Sequence, residues 1–114
     1  MSTERVLTAL ESGVLTITLN RPDKRNAMDA ATVDGLRIAL ADANVNADVC
    51  VVAIRGAGKD FCAGADLQEL LDTADQSLAE HEGNALKLGD VFVALRKLPK
   101  PVVAVVHGRA LAGG

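Results

Sequence analysis

Hydrophobic and polar residues alternate along segment 14–19, as they do in a strand that has one buried face. A weaker alternation covers residues 5–10, and the turn-forming triplet Glu11-Ser12-Gly13 separates the two segments. The pattern predicts a β-hairpin near the start of the chain. Pro22 ends the second strand, because proline has no N–H to donate to a strand ladder.

Apolar residues then recur at the three- and four-residue spacing of a helix face, from Asp29 to about Asn44. Asp29 is the predicted N-cap, since its carboxylate can accept a hydrogen bond from the first turn. The predicted buried face consists of Val33, Leu36, Leu40 and Ala43.

Two further helices are predicted in the middle of the chain. A short helix begins at Asp66 and ends near Asp72, and a longer one runs from Asp75 or Ser77 to Lys97, before two prolines stop it. We interpret the apolar stripe of the longer helix as core or as a subunit contact. Its members are Leu78, Ala85, Leu88, Phe92 and Leu95.

Two continuous apolar runs, 49–54 and 102–106, are typical of strands that are covered on both faces. The predicted order of elements is β-β-α-β-α-α-β. Helices between the two apolar strands imply right-handed crossovers and parallel pairing. The sequence therefore predicts an α/β domain.

Composition narrows the class of protein. The 114 residues suit one domain, and 49% hydrophobic residues suffice for a core. A net charge of −3, no basic run and only 2% aromatic residues argue against nucleic-acid binding. No apolar run reaches the ~18 residues of a membrane span. The first residues lack the pattern of a signal peptide, so we expect a cytoplasmic protein. The two cysteines, Cys50 and Cys62, have no metal-ligand spacing, so we expect reduced thiols and no metal.

Two loops of small residues, 61–67 and 108–114, each follow an apolar strand and open a helical pattern. Backbone N–H groups in such loops can face a ligand. Two of them converging on one oxygen would form an oxyanion hole, which stabilises an enolate or a tetrahedral anion. Taken alone the pattern is weak, because glycine after a parallel strand usually serves only a tight turn.

Three segments together carry a family resemblance: NRPDKRNAM at 20–28, GKDFCAGADL at 58–67 and PKPVVAVVHGRALAGG at 99–114. In order and spacing they resemble the crotonase (enoyl-CoA hydratase/isomerase) superfamily over essentially the whole chain. The resemblance implies a crotonase-like (ClpP/crotonase) ββα spiral fold of the α/β class. Residues 1–114 would form the N-terminal part of one such domain, incomplete without its remainder and C-terminal helical region.

The resemblance also implies a site. The oxyanion-hole donors would be the backbone N–H groups of Ala65 and Gly113. Coenzyme A would arrive as part of the acyl-CoA substrate, so no separate cofactor is expected, and the partner subunits would form a homotrimer or a dimer of trimers. The residues implied along the coenzyme A path are Lys24, Arg25, Ala27, Ala63, Gly64, Asp66 and Leu67.

The favoured reaction is the hydration of a trans-2-enoyl-CoA to a 3-hydroxyacyl-CoA, as in fatty acid β-oxidation. The superfamily's hydratases carry their two acid/base glutamates after the glycine-rich turn, beyond Gly114. Methylglutaconyl-CoA hydration, enoyl-CoA isomerisation and a catalytically inactive truncated fragment therefore stay open. We expect the 114-residue chain alone to lack hydratase activity and to aggregate through the apolar edge of segment 102–106.

Other chemical motifs have simpler interpretations. Gly58-Lys59 does not form a P-loop, because Asp60 stands where serine or threonine should bind magnesium. We interpret Asp66 as a helix cap and Cys62 as a packing residue. His107 is expected to form a structural hydrogen bond, and His81 is expected to be solvated in mid-helix. Glu69, one turn beyond Asp66, is a carboxylate that could face an acyl pocket.

Overall fold

The structure, a computed structural model, describes residues 4–114. Their elements follow the predicted order β-β-α-β-α-α-β, with one additional turn of 3-10 helix at Pro22–Lys24. The elements are β1 (Val6–Glu11), β2 (Val14–Leu19), α1 (Ala30–Val45), β3 (Val51–Gly56), α2 (Leu67–Asp72), α3 (Leu78–Lys97) and β4 (Val102–Ala104).

The four strands form one mixed sheet in the order β1-β2-β3-β4. Strands β1 and β2 are antiparallel and are joined by the two-residue turn Ser12-Gly13, where both residues have positive φ, as in the turns that favour hairpins. Strand β3 is parallel to β2, and β4 is parallel to β3. The predicted hairpin and the predicted parallel pairing are both confirmed.

The burial of β3 and β4 differs from the prediction. Along β3 only alternate residues are fully buried, and Arg55 is exposed. Strand β4 ends at Ala104, and Val103 is 52% exposed. The prediction of two strands covered on both faces was wrong, because within residues 4–114 the core helices pack on a single face of the sheet. The apolar residues of β4 therefore remain accessible to solvent, in agreement with the exposed apolar edge that is expected for segment 102–106.

Helix α1 supplies most of the helical side of the core. All four predicted face residues are buried, and they pack against the inward residues of β2 and β3. Asp29 is the N-cap, with its Oδ1 accepting a hydrogen bond from the Thr32 N–H at 2.9 Å. These two predictions rest on local signals, and both are confirmed.

Helix α3 begins at Leu78, after the N-cap Ser77, and ends at Lys97 as predicted. Its buried residue, however, is Val91, which the predicted stripe does not contain. Leu88 and Leu95 only border the core, and Leu78 is exposed. The predicted stripe was therefore right only in part, because α3 presents the face with Leu88, Val91 and Leu95 to the core and leaves Leu78 and Phe92 exposed. Its role as a subunit contact stays a prediction.

Lys100 joins the connection before β4 to the end of α1. Its Nζ donates hydrogen bonds to the carbonyl oxygens of Ala43 at 2.6 Å and Asn46 at 2.8 Å. These carbonyls belong to the last turn of α1, where backbone acceptors lack helical partners and a cation is favourable.

We expect Lys100→Met to lower the free energy of unfolding by about 1–3 kcal/mol, because two charge-assisted hydrogen bonds are lost. Denaturant unfolding would measure the change. Lys59→Met is the matched control, since Lys59 is exposed and its side chain makes no hydrogen bond within residues 4–114. Equal losses in the two variants would show that the cap contributes nothing.

Candidate functional site

Segments 20–28 and 58–67, the first two motifs of the family resemblance, lie side by side. Met28 pairs with Ala65 in a parallel bridge, in which the Met28 N–H donates to Gly64 O at 2.7 Å and the Asp66 N–H donates to Met28 O at 3.0 Å. The Ala63 N–H donates to Arg25 O at 3.0 Å. The segment after the 3-10 helix therefore holds the loop that precedes α2.

The third motif approaches the same loop from its other side. The Leu111 N–H donates to Cys62 O at 3.0 Å, and Cys62 and Ala110 form a second isolated bridge. Gly64 has a φ of +94°, and a Cβ placed on it would lie 2.9 Å from Leu111 O and 3.4 Å from the Gly113 nitrogen. Only glycine fits here, since a side chain would force the two loops apart.

The N–H groups of Ala65 and Gly113 are free donors. Neither donates a hydrogen bond to any group in residues 4–114, and both residues are exposed. The Met28 N–H holds the carbonyl of the Gly64–Ala65 peptide. Because N–H and C=O point in opposite directions in a trans peptide, this bond aims the Ala65 N–H away from Met28.

A cavity of about 300 Å³ opens beside Ala65, between the start of α1, helix α2 and the first half of α3. Apolar side chains contribute most of its wall, and the N-terminal part of α3 adds His81. His81 is half-buried in this wall and is the fourth residue of its helix, so it lies near the helix start and not in mid-helix as predicted. Its solvation stays a prediction. Glu69 also borders the cavity.

Glu69 has a second role that the sequence did not suggest. Its carboxylate oxygens accept hydrogen bonds from the Ala30 N–H at 3.0 and 3.2 Å. It therefore caps the first turn of α1 from the neighbouring helix. A helix start that faces a carboxylate on another element has no local sequence signal, which explains why the contact was missed.

Arg21 is the other side chain that sequence reasoning missed. Its guanidinium binds the Asp66 carboxylate, lies 3.7 Å from Asp29 Oδ2 and donates to Ala27 O at 3.2 Å. Arg5 adds a second cation, with Nε 3.0 Å from Asp29 Oδ2. No local signal in the sequence indicates the contact with Asp66, which lies 45 positions from Arg21.

The two carboxylates are held ionised. The hydrogen bond from Arg21 lowers the pKa of Asp66 against the opposing effect of burial, and the N–H groups of α2 assist. Burial raises the pKa of Asp29, but hydrogen bonds from Thr32 and Arg5 and the charge of Arg21 outweigh it, so the net shift is downward. Asp66 Oδ1 also caps α2 through the N–H groups of residues 68 and 69, which confirms its predicted role as a cap.

These lowered pKa values predict loss of stability in acid. Their contribution is complete above about pH 4, near the unfolded pKa of aspartate, and it disappears as pH falls through the lower folded-state values. We expect Asp66→Asn to be less stable than wild type at pH 7 and to lose less further stability between pH 4 and 2. Urea unfolding across this range checks it, and identical pH dependence in both proteins would contradict the assignment.

Two other predicted roles agree with the structure. Cys62 is buried, its Sγ lies 3.2 Å from Asn26 O, and burial raises the pKa of its thiol, all of which fit a packing residue. His107 Nε2 lies 2.8 Å from Gly58 O, as expected for a structural hydrogen bond. Within residues 4–114, no three histidine, cysteine or acidic side chains are grouped to hold a metal ion.

The basic residues implied for coenzyme A lie at the surface. Lys24 ends the 3-10 helix, and Arg25 follows it with a φ of +54°; both side chains are exposed. Leu67 is exposed at the start of α2, whereas Ala27 is half-buried beside the loop.

No helix in the described part of the chain is both long and apolar enough to cross a membrane.

Comparison with known families decides the membership of the chain. The sequence model of the enoyl-CoA hydratase/isomerase family matches residues 9–114. The chain belongs to this family. The family's solved structures share its fold: an enoyl-CoA hydratase/isomerase of Xanthobacter autotrophicus Py2 superposes with a TM-score of 0.92 at 32% identity, over 98% of this chain and 42% of that one. The predicted crotonase-like α/β fold is thereby confirmed.

Two curated members of the family illustrate its range. The probable enoyl-CoA hydratase echA14 of Mycobacterium tuberculosis is 39% identical over 110 residues, which cover 96% of this chain and 41% of the relative. The mitochondrial Delta(3,5)-Delta(2,4)-dienoyl-CoA isomerase of Mus musculus is 32% identical over 116 residues, covering 95% of this chain and 36% of the relative. The chain thus spans less than half the length of the family members it matches.

Proposed function

We propose that the protein binds an acyl-CoA thioester and stabilises the enolate of its acyl group, with the backbone N–H groups of Ala65 and Gly113 as the oxyanion hole. The observation that carries this proposal is the meeting of the two small-residue loops, each with a free N–H, beside an apolar cavity. Membership of the enoyl-CoA hydratase/isomerase family supports it.

The chemistry requires a fixed donor pair. Removing the α-proton of an acyl thioester, or adding a nucleophile to its conjugated double bond, places negative charge on the thioester oxygen. Donors that are already aligned stabilise that charge without reorganisation, and losing one costs roughly 3 kcal/mol in a well-studied hydrolase. Neither donor here is occupied within residues 4–114, so both are available to the substrate oxygen.

In this proposal the acyl tail occupies the cavity beside Ala65, where burial of its methylene groups favours binding. The coenzyme A moiety extends past the loop, with the basic groups of the first motif facing its phosphates. Coenzyme A is part of the substrate, and no further cofactor is required. The residues assigned to its path are Lys24, Arg25, Ala27, Ala63, Gly64, Asp66 and Leu67.

Hydration of a trans-2-enoyl-CoA to a 3-hydroxyacyl-CoA is our favoured reaction for the complete protein, and the similarity to a probable enoyl-CoA hydratase supports it. Isomerisation of the double bond is the second candidate, favoured by the similarity to a dienoyl-CoA isomerase. Both reactions pass through the same kind of enolate. A cytoplasmic location, assembly as a homotrimer or dimer of trimers, and inactivity of residues 1–114 alone belong to the same proposal.

The test uses the complete protein as isolated from its source. Calorimetry with butyryl-CoA, which cannot react, measures binding, and free butyrate serves as the control for the contribution of coenzyme A. Turnover of crotonyl-CoA and of a 3-enoyl-CoA is followed by chromatography with mass spectrometry, in which hydration adds the mass of water and isomerisation changes the retention time at constant mass. A protein that does not bind butyryl-CoA and converts neither substrate would refute the proposal.

A further inference from the structure

The guanidinium of Arg21 lies where the two segments around Ala65 meet. It binds the carboxylate of Asp66, the residue that follows Ala65, and donates to the carbonyl oxygen of Ala27, the residue that precedes Met28, at 3.2 Å. The side chain of Arg21 is only 15% exposed, and that of Asp66 is 10% exposed. One cation therefore spans both sides of the Met28–Ala65 bridge.

The orientation of the Ala65 N–H depends on that bridge. Gly64 O, in the same peptide unit as the Ala65 N–H, accepts from Met28, and the Asp66 N–H donates to Met28 O at 3.0 Å. A shift of Met28 relative to Asp66 would rotate the Gly64–Ala65 peptide, because the Met28 N–H binds the carbonyl of that peptide. Among the side-chain hydrogen bonds of residues 4–114, only those of Arg21 join both neighbours of the bridge, Ala27 and Asp66.

The Asp66 carboxylate is held by hydrogen bonds at both of its oxygens. Its Oδ2 binds Arg21, and its Oδ1 accepts from Gln68 N at 2.9 Å and Glu69 N at 3.2 Å. One oxygen is bound by Arg21 and the other by the first turn of α2. These bonds from two directions orient the carboxylate plane and restrain the backbone that carries it. Both Arg21 bonds come from one nitrogen, Nη1, at the far end of the guanidinium. A lysine ammonium is a compact charge on a flexible stem and lacks the planar group that places this nitrogen.

We propose that Arg21 is a positioning residue of the enzyme, which aligns the Ala65 N–H for the developing enolate oxygen by bridging the Asp66 carboxylate and the Ala27 carbonyl. The inference rests on the proposed function, since it assigns a role in the same oxyanion hole. Arg21 touches no substrate atom in this account. Its effect reaches the reaction through the peptide between Gly64 and Ala65.

The test compares Arg21→Lys and Arg21→Gln with Arg5→Gln in the complete protein. Arg5 is the matched control, because it binds the same network through Asp29 but contacts neither Asp66 nor Ala27. We expect both Arg21 variants to lower kcat by about 10–100-fold, since small misplacements of an aligned group have effects of this size, while KM changes little. Arg5→Gln should retain the kcat and KM of the wild type.

Amide hydrogen exchange gives a readout that does not depend on turnover. In the Arg21 variants we expect exchange of the amides in segment 61–69 to accelerate by about tenfold, with no such change in Arg5→Gln. Faster exchange with an unchanged kcat would make Arg21 purely structural and overturn the inference, as would a kcat loss of equal size in Arg5→Gln.

Failure of the proposed function has a separate signature. It would appear as absent binding and turnover of acyl-CoA in the wild type itself, before any variant is compared. If an Arg21 variant does not fold, Asp66→Asn breaks the same bridge while keeping the Oδ1 cap, and it should reproduce the selective loss of kcat. A wild-type kcat in a folded Asp66→Asn protein would overturn the inference.

Discussion

Replacing Gly64 by alanine is expected to lower kcat for acyl-CoA turnover by about 10²–10³-fold, the effect of losing one oxyanion-hole donor. Gly64 has a φ of +94°, which L-residues with a Cβ rarely adopt. The added methyl would also meet Leu111 O at 2.9 Å, so the two loops must separate or the peptide before Ala65 must turn. Either movement shifts the Ala65 N–H relative to the Gly113 N–H, the other donor of the proposed oxyanion hole.

Steady-state kinetics of the complete protein at a temperature well below its unfolding midpoint would measure this loss. Gly83→Ala is the matched control, because a Cβ on Gly83 in α3 has no neighbour within 4 Å. We expect the control to keep the wild-type kcat and to be more stable by about 0.5–1 kcal/mol, since alanine favours a helix. A Gly64→Ala protein with wild-type kcat would remove the geometric basis of the proposed oxyanion hole.

Replacing Asn26 by alanine is expected to lower the free energy of unfolding by about 3 kcal/mol or more. Asn26 is 1% exposed and satisfies three backbone groups. Its Oδ1 accepts from the Arg21 N–H at 2.8 Å, and its Nδ2 donates to the carbonyls of Ala57 at 2.9 Å and Asp60 at 2.8 Å. Its φ of +57° lies in the left-handed region, where asparagine is tolerated better than alanine.

Denaturant unfolding of the complete protein checks this value. Asn44→Ala, at an exposed position of α1, serves as the control and should change stability by no more than about 0.5 kcal/mol. Asn26→Asp is a sharper variant, since it keeps the shape but places a second acceptor against two carbonyl oxygens. Near-equal stability of Asn26→Ala and Asn44→Ala would show that solvent replaces these hydrogen bonds at no cost.

Predictions from the sequence succeeded where the cause is local. Asp29 and Asp66 were recognisable as caps because a carboxylate before a helical pattern reaches the N–H groups two and three residues ahead. The period of two in segment 14–19 and the helical spacing after Asp29 sufficed to predict β2 and α1. Their burial followed as well, because each has a single apolar face.

The errors concern features that depend on the neighbours of an element. An all-apolar run does not reveal how many of its faces are covered, and segment 102–106 became a three-residue strand with an exposed valine. In α3 the spacing allowed several apolar stripes, and only packing against α1 selected Val91. The side on which His81 lies was decided by the same packing, which placed it in the cavity wall.

The linear pattern of residues suffices to predict the order of the elements, the helix caps and, through three spaced motifs, the family and the pair of loops proposed as the oxyanion hole. The side chains that join these loops to the rest of the fold could not be predicted in this way. Arg21 reaches Asp66 across 45 positions, and Asn26 reaches Asp60 across 34. Such contacts leave no periodic pattern, because they arise when the sheet and its crossovers bring distant backbone segments together.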